Sequence, residues 1–301
     1  MLGQHPEARG LPEINLFAEE TLDALCKRAT GQRHFLIHGL LRTVAQLYAG
    51  EQSLESVGLA WRWINHRRDR TTAEIYQELC EKVAPCRLVD KSPIYSNRRE
   101  VLDRIVEAFP DAHFLYLLRN PIDQGNSMIS APQGFMQLLA AQSLDYSRRP
   151  PRVEPQVQWM RTQQLILDFL DTLPEDQHRQ LVGEDLLREP EAVLEDLCDW
   201  LGLSWSAQAL ESMLHPEDSP FAAMGPIGAQ WGNNPGFQRS PKFRRSTKPV
   251  PGLDRDLPWY RKPARLYPEV RELAGQLGYG EPIEAAASEA PATPAQGHSA
   301  T

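Results

Sequence analysis

The chain has 301 residues, with 32 Lys plus Arg against 40 Asp plus Glu, for a net charge of −8. Hydrophobic residues at 41% and charged residues at 24% exclude a largely disordered polymer, and the acidic balance argues against a nucleic-acid partner. No apolar run reaches the ~18 residues of a membrane helix, and the polar opening with His5, Pro6, Glu7 and Arg9 lacks a signal-peptide pattern, so a cytoplasmic protein with no membrane partner is expected.

In chain order, residues 17–28, 34–48 and 72–83 read as helices. Leu40, Leu41, Val44 and Leu47 keep the helical period, and Thr71 with Glu74 offers a capping box to the third. Arg87-Leu88-Val89 is a short apolar step that ends at Asp90. Asn97 is placed to cap a helix running to Phe109, whose apolar face is Val101, Leu102, Ile105 and Val106. Pro110 stops it. His113 to Leu118 is apolar nearly throughout and reads as a strand buried on both faces. Pro121 then opens a helix at its first position. Further helices are expected over 154–173, 193–201 (closed by Gly202) and 264–278, with a third strand at Gln180–Gly183 and ordered loop over 216–258. Strand and helix alternating in this way predict a single α/β domain, residues 1–280, with a parallel sheet flanked by helices. Residues 281–301 read as a disordered Ala/Pro-rich tail.

The four cysteines, Cys26, Cys80, Cys86 and Cys198, form no C-x-x-C pair and read as free thiols. His34 and His38 would share one face of a helix, but no third ligand accompanies them, so no metal is expected. G-x-x-x-x-G-K-[ST], G-x-G-x-x-G and G-x-S-x-G do not occur in the chain. Three features point to an anionic ligand. Nine basic residues fall between Arg239 and Arg265, opposed there only by Asp254 and Asp256. Arg119 ends the expected strand, and Ser127, nearly two turns into the next helix, returns to the face of its entry. Together they form either a phosphate clamp or an ordinary ion pair and a surface serine. Lys91 ends the other strand, again as either a ligand group or part of a charged turn.

Taken together, these segments resemble the sulfotransferases that use 3′-phosphoadenylyl sulfate. Leu88-Val89-Asp90-Lys91-Ser92-Pro93-Ile94-Tyr95 is similar to the D-K-[ST]-P-x-Y stretch of bacterial members. Phe109 to Pro121, continuing to Ser127, is similar to F-P-x-A-x-F-I-x-L-x-R-x-P…S. Gly183-Glu184-Asp185-Leu186 with Trp200-Leu201-Gly202-Leu203 is similar to Y-E-D-L…F-L-G-L, with Gly183 where Tyr is usual. Leu11-Pro12-Glu13 resembles the segment after the family's first loop, and Gly232-Asn233-Asn234-Pro235 the region that completes the cofactor site.

The resemblance implies a fold like that of P-loop nucleotide kinases. It implies transfer of a sulfuryl group from 3′-phosphoadenylyl sulfate to a hydroxyl or amine of a small-molecule or carrier-bound acceptor, without a metal. It assigns the 3′-phosphate to Arg119 and Ser127, cofactor phosphates also to Lys242 and Arg244, general-base work to Glu13 and stabilisation of the sulfuryl group to Lys91. It also implies that the family's opening strand and P-R-S-G-[ST] loop precede His5, that Met1 falls in the helix after that loop, and that the chain lacks both. A non-catalytic nucleotide-binding or scaffold remnant of the fold is the alternative, and a nucleotide kinase a third reading.

Overall fold

The computed structural model describes residues 1–131 and 134–280; the expected tail lies outside them. The chain opens with a 3-10 turn, Leu2–Gln4, and strand β1 (Ala8–Gly10), not with the expected helix. An exposed Arg9 between buried Ala8 and half-buried Gly10 follows the alternation of a strand. Four helices follow: α1 (Leu22–Arg28), α2 (His38–Ala49), α3 (Leu54–Asn65) and α4 (Thr72–Val83). A 3-10 stretch, Gly31–Ile37, leads into α2, so the helix expected from residue 34 begins at His38. Helix α3 was not expected. Ser53 and Ser56 close a capping box on it, a Ser–Ser version of the usual Ser–Glu signature.

Strand β2 (Arg87–Val89) comes next, then a 3-10 turn Pro93–Asn97 and helix α5 (Arg99–Ala108). Asn97 is spent in that turn, and the cap position falls to Arg98, which makes no side-chain cap bond. Strand β3 (Phe114–Leu118) leads to α6 (Pro121–Ser130) and α7 (Gly134–Ala140). A small hairpin of β4 (Leu144–Asp145) and β5 (Arg152–Val153) precedes α8 (Pro155–Leu170), which Glu154 caps. Then come β6 (His178–Val182), α9 (Gly183–Arg188), α10 (Pro190–Leu201), α11 (Ala207–Leu214), α12 (Pro235–Arg239) and α13 (Pro268–Ala274), the last extended by a turn over Gly275–Tyr279.

Among the described residues β1 pairs with β2, and β3 with β6, both in parallel, while β4 and β5 are antiparallel; the two parallel pairs share no strand. Strand β3 buries Tyr116 and Leu118 but leaves Leu115 36% and Leu117 57% exposed. One face of the strand is therefore uncovered, contrary to burial on both faces. Helices α1 to α4 enclose one apolar core around Ile14, Leu40, Leu41 and Ile64, with Trp61, Trp63 and Tyr76 packed at its margin. A second core joins β3, α5, α8 and α13 through Tyr116, Trp159, Phe169 and Val270. All four cysteines are free.

Candidate functional site

Two groups of polar side chains lie beyond the ends of the parallel pairs, where ligands of α/β proteins bind. The first follows β1 and β2. Lys91 Nζ donates to Glu13 Oε1 at 2.5 Å and to Asn233 Oδ1 at 3.4 Å. Three distant segments supply these groups, and the backbone fixes each. Leu11 N–H donates to Val89 O, and Glu13 N–H donates to Gly232 O at 2.5 Å. Gly232 sits at φ 116°, and its neighbour Gly39 lies so close that an added Cβ would meet Glu13 O at 2.1 Å. Only glycine allows both the left-handed turn and this approach.

Asp90 anchors the same corner from below. Ser92 Oγ donates to Asp90 Oδ1 at 2.7 Å, and the Tyr95 hydroxyl donates to Oδ2 at 2.8 Å. Ser92 Oγ in turn accepts from Asn15 N–H at 3.0 Å, which ties the Glu13 segment to the end of β2. Burial pushes the Asp90 carboxyl up to about 6, against the pull of those two hydroxyls and of Lys91.

His38, 6% exposed, borders this group from α2. Its Nδ1 accepts from Trp231 N–H at 3.2 Å, and its Nε2 lies 2.9 Å from His34 Nδ1. Burial, then the nearby His34 and Arg42, pull the His38 imidazolium down to about 4. The shifts of His38 and Asp90 act on stability with opposite signs. A histidine lowered from 6.5 to about 4 adds stability that is complete above pH 6.5 and lost as pH falls toward 4. A carboxyl raised from 3.8 to about 6 adds stability that is complete below pH 3.8 and lost as pH rises through 6. Urea unfolding from pH 4 to 7 should therefore show the wild-type advantage over His38→Asn growing with pH, and that over Asp90→Asn shrinking. Parallel curves for all three proteins would remove both shifts.

The second group follows β3. Arg119 and Ser127 are both exposed. The backbone between them is held from four directions at Asn120, a fully buried residue. Its Oδ1 accepts from Ile122 N–H at 2.9 Å and caps α6, while its Nδ2 donates to Pro251 O at 3.1 Å. Its N–H donates to Glu184 Oε1 at 3.0 Å, and Trp159 Nε1 donates to Arg119 O at 3.0 Å. Glu184 is held by the Tyr279 hydroxyl, 2.7 Å from Oε2. Asn120→Ala removes the cap and orphans the Pro251 carbonyl, so it should cost about 2–4 kcal/mol of unfolding free energy in urea; a loss below about 1 kcal/mol would show that water replaces these contacts.

Burial raises the Asp123 carboxyl on α6, while Arg119, Arg255 and Lys248 lower it and Glu184 raises it further. Arg119, Lys248 and Arg255 thus all act on Asp123 in the first turn of α6. Lys242 and Arg244 are exposed, with Arg244 turned onto the Ser240 hydroxyl. The next residue, Arg245, pairs with Glu191. The excess of basic residues marked this segment in the sequence, but which of them reach α6 depends on how Asn120 and Trp259 seat it. An added Cβ on Gly125 would meet the Trp259 ring at 2.8 Å. An open hollow lined by Glu19, Glu20, Arg98 and Arg104 includes none of the residues of either group. Among the described residues, no cluster of His, Cys, Asp and Glu is placed to hold a metal ion, and no helix is long and apolar enough to cross a membrane.

Known structures share this fold. The fold superposes on the sulfotransferase domain from the curacin biosynthetic pathway with a TM-score of 0.72 and 24% identity, covering 92% of this chain and 91% of that one. It superposes on the sulfotransferase domain from the Synechococcus PCC 7002 olefin synthase with a TM-score of 0.66 and 24% identity, covering 93% and 89%. A search of the curated proteins finds no match. The model of the sulfotransferase family matches residues 1–207, and the chain that carries Glu13, Lys91, Arg119 and Ser127 in that span belongs to the sulfotransferase family.

Proposed function

We propose that the protein transfers a sulfuryl group from 3′-phosphoadenylyl sulfate to a hydroxyl or amine acceptor. The observation that carries this reading is the Glu13–Lys91–Asn233 group beyond the β1–β2 pair. It sets a base and a cation side by side in a chain of the sulfotransferase family. The donor nucleotide supplies an activated sulfuryl group and, as leaving group, a phosphate. The chemistry of the side chains fits such an anion: Arg119, Lys248 and Arg255 act at the head of α6, and the Ser127 hydroxyl is exposed.

In this mechanism Arg119 and Ser127 bind the 3′-phosphate with charge-assisted hydrogen bonds. Lys248 and Arg255 add positive potential there, and the exposed Lys242 and Arg244 of the same segment serve the cofactor phosphates. Glu13 takes the proton of the acceptor hydroxyl or amine as general base. Lys91 neutralises negative charge where the sulfuryl oxygens gather, and Asn233 holds its ammonium in place. Transfer of this kind draws most of its rate from positioning and from stabilising spread negative charge.

The acceptor is a small molecule or one carried on a protein. Helix α7 offers apolar surface for it, with Phe135 53%, Met136 62% and Leu139 41% exposed. We place the reaction in the cytoplasm, without a membrane or nucleic-acid partner. Incubation with 3′-phosphoadenylyl sulfate labelled in the sulfuryl group, and with hydroxyl and amine acceptors both free and thioester-bound to a carrier protein, tests the reading. Label on an acceptor supports it, and none across the whole panel overturns it.

A further inference from the structure

The rim of the Glu13 corner is fixed by a pair of histidines. His38 Nδ1 accepts from the Trp231 backbone N–H. A backbone amide only donates, so Nδ1 must be unprotonated and the ring proton of neutral His38 sits on Nε2. That Nε2–H then donates to His34 Nδ1 at 2.9 Å, which leaves the proton of neutral His34 on its own Nε2. His34 is held in turn by stacking on Trp61, with ring centroids 6.0 Å apart. The residues after Trp231 touch the reacting corner directly: Gly232 O accepts from Glu13 N–H, and Asn233 Oδ1 accepts from Lys91.

We propose that His38 is a positioning residue for the Glu13–Lys91 pair: as the Nε2–H tautomer it anchors the Trp231–Asn233 loop, and proton uptake by the His34–His38 pair releases that loop. The inference rests on the sulfuryl-transfer reading for its effect on turnover, but not for the anchoring itself.

The proton count leaves little room for another outcome. A proton added to His38 goes to Nδ1, the one free position, and removes the lone pair that Trp231 uses. A proton added to His34 goes to Nδ1, where it faces the His38 Nε2–H. His38 must then move its own proton to Nδ1 or give up the contact. The charged groups that act on His38 are His34, from the 3-10 stretch before α2, and Arg42, one turn further along α2. Both oppose a positive imidazole, and among the described residues no carboxylate offsets them. The loop itself contributes only the backbone of Trp231. The latch is therefore closed at neutral pH and opens in acid.

Amide hydrogen exchange of the full chain, read by NMR at Trp231, tests the anchoring. His38→Leu should lower Trp231 protection about tenfold, the scale of one buried donor losing its partner. His38→Asn, whose Oδ1 can accept at the place of Nδ1, should restore most of it. Wild-type protection at Trp231, corrected for intrinsic exchange, should also fall as pH drops from 7 toward 4, while Tyr116 in β3 stays protected. That measurement needs no variant and covers a His38→Leu chain that fails to fold. Unchanged protection at Trp231 in His38→Leu, or through the acid range in the wild type, overturns the proposal.

Turnover supplies the second readout. In His38→Leu, kcat for sulfuryl transfer should drop about tenfold with nucleotide affinity kept, and His38→Asn should recover it. Lost protection with unchanged turnover in an active enzyme overturns the positioning role. If the wild-type chain transfers no sulfuryl group at all, the parent reading fails, and exchange at Trp231 still decides whether His38 anchors the loop.

Discussion

Glu13→Gln should lower sulfuryl-transfer turnover by about 10²–10⁴-fold, the usual worth of a positioned general base. The amide keeps the shape and can still accept from Lys91, so the loss reports the missing proton acceptor and not a disturbed corner. Lys91→Ala should cost about 10²–10³-fold, comparable to removing one donor aimed at developing negative charge. Neither change should unfold the protein. The side chains of Lys91 and Glu13 are 53% and 27% exposed, and an ion pair this open contributes about 0–1 kcal/mol to stability. The two residues form one ion pair, so their effects should not add, and the double variant should be little worse than Glu13→Gln. Turnover within threefold of wild type in either single variant, with unfolding unchanged, would remove that residue from the mechanism.

Adenosine 3′,5′-bisphosphate should bind more tightly than AMP, and Arg119→Ala should weaken it by roughly 10- to 150-fold, the effect of losing about 1.5–3 kcal/mol from a charge-assisted contact. AMP affinity should not change. The contrast is sharp because the Arg119 guanidinium forms no ion pair among the described residues, so its removal leaves no partner stranded. Lys248→Ala and Arg255→Ala should cost less and depend more on salt, as expected of cations that act through the field near Asp123. Calorimetry with both nucleotides decides the matter: equal affinities in the wild type would exclude a 3′-phosphate clamp at Arg119 and Ser127.

Where chemistry is local, the sequence was legible. The capping box of Thr71 and Glu74 is present as expected. Pro121 opens α6, and Gly202 closes α10 in the left-handed conformation. Glu13 and Lys91 meet, although the chain separates them by 78 residues, because each follows a strand of one parallel pair. Long-range features were harder to read. Asn97 looked like a cap, but the turn from Pro93 uses it. Helix α3 hides because its capping box pairs serine with serine. The basic segment was visible as a charge excess, but not that Lys248 and Arg255 in it act on the Asp123 carboxyl. The bond from Asn120 to the Pro251 carbonyl, which seats this part of the segment, spans 131 residues and has no local signal. The spacing of His34 and His38 was legible, but not that the backbone of Trp231, 193 residues away, would donate to His38.

The fastening of Asn120 also sets an order of assembly. Its partners lie 64 and 131 residues downstream, at Glu184 and Pro251. Contacts at such separations form late, because the loop they close must be ordered before they repay it. During synthesis, which adds about 5–20 residues per second, Arg119 and Ser127 emerge well before the groups that fix the turn between them. A nascent chain ending at residue 207 would carry the whole span that marks the family and still lack Pro251, Lys248 and Arg255. In the proposed mechanism, nucleotide capture therefore waits until the segment that carries Lys248, Pro251 and Arg255 has docked.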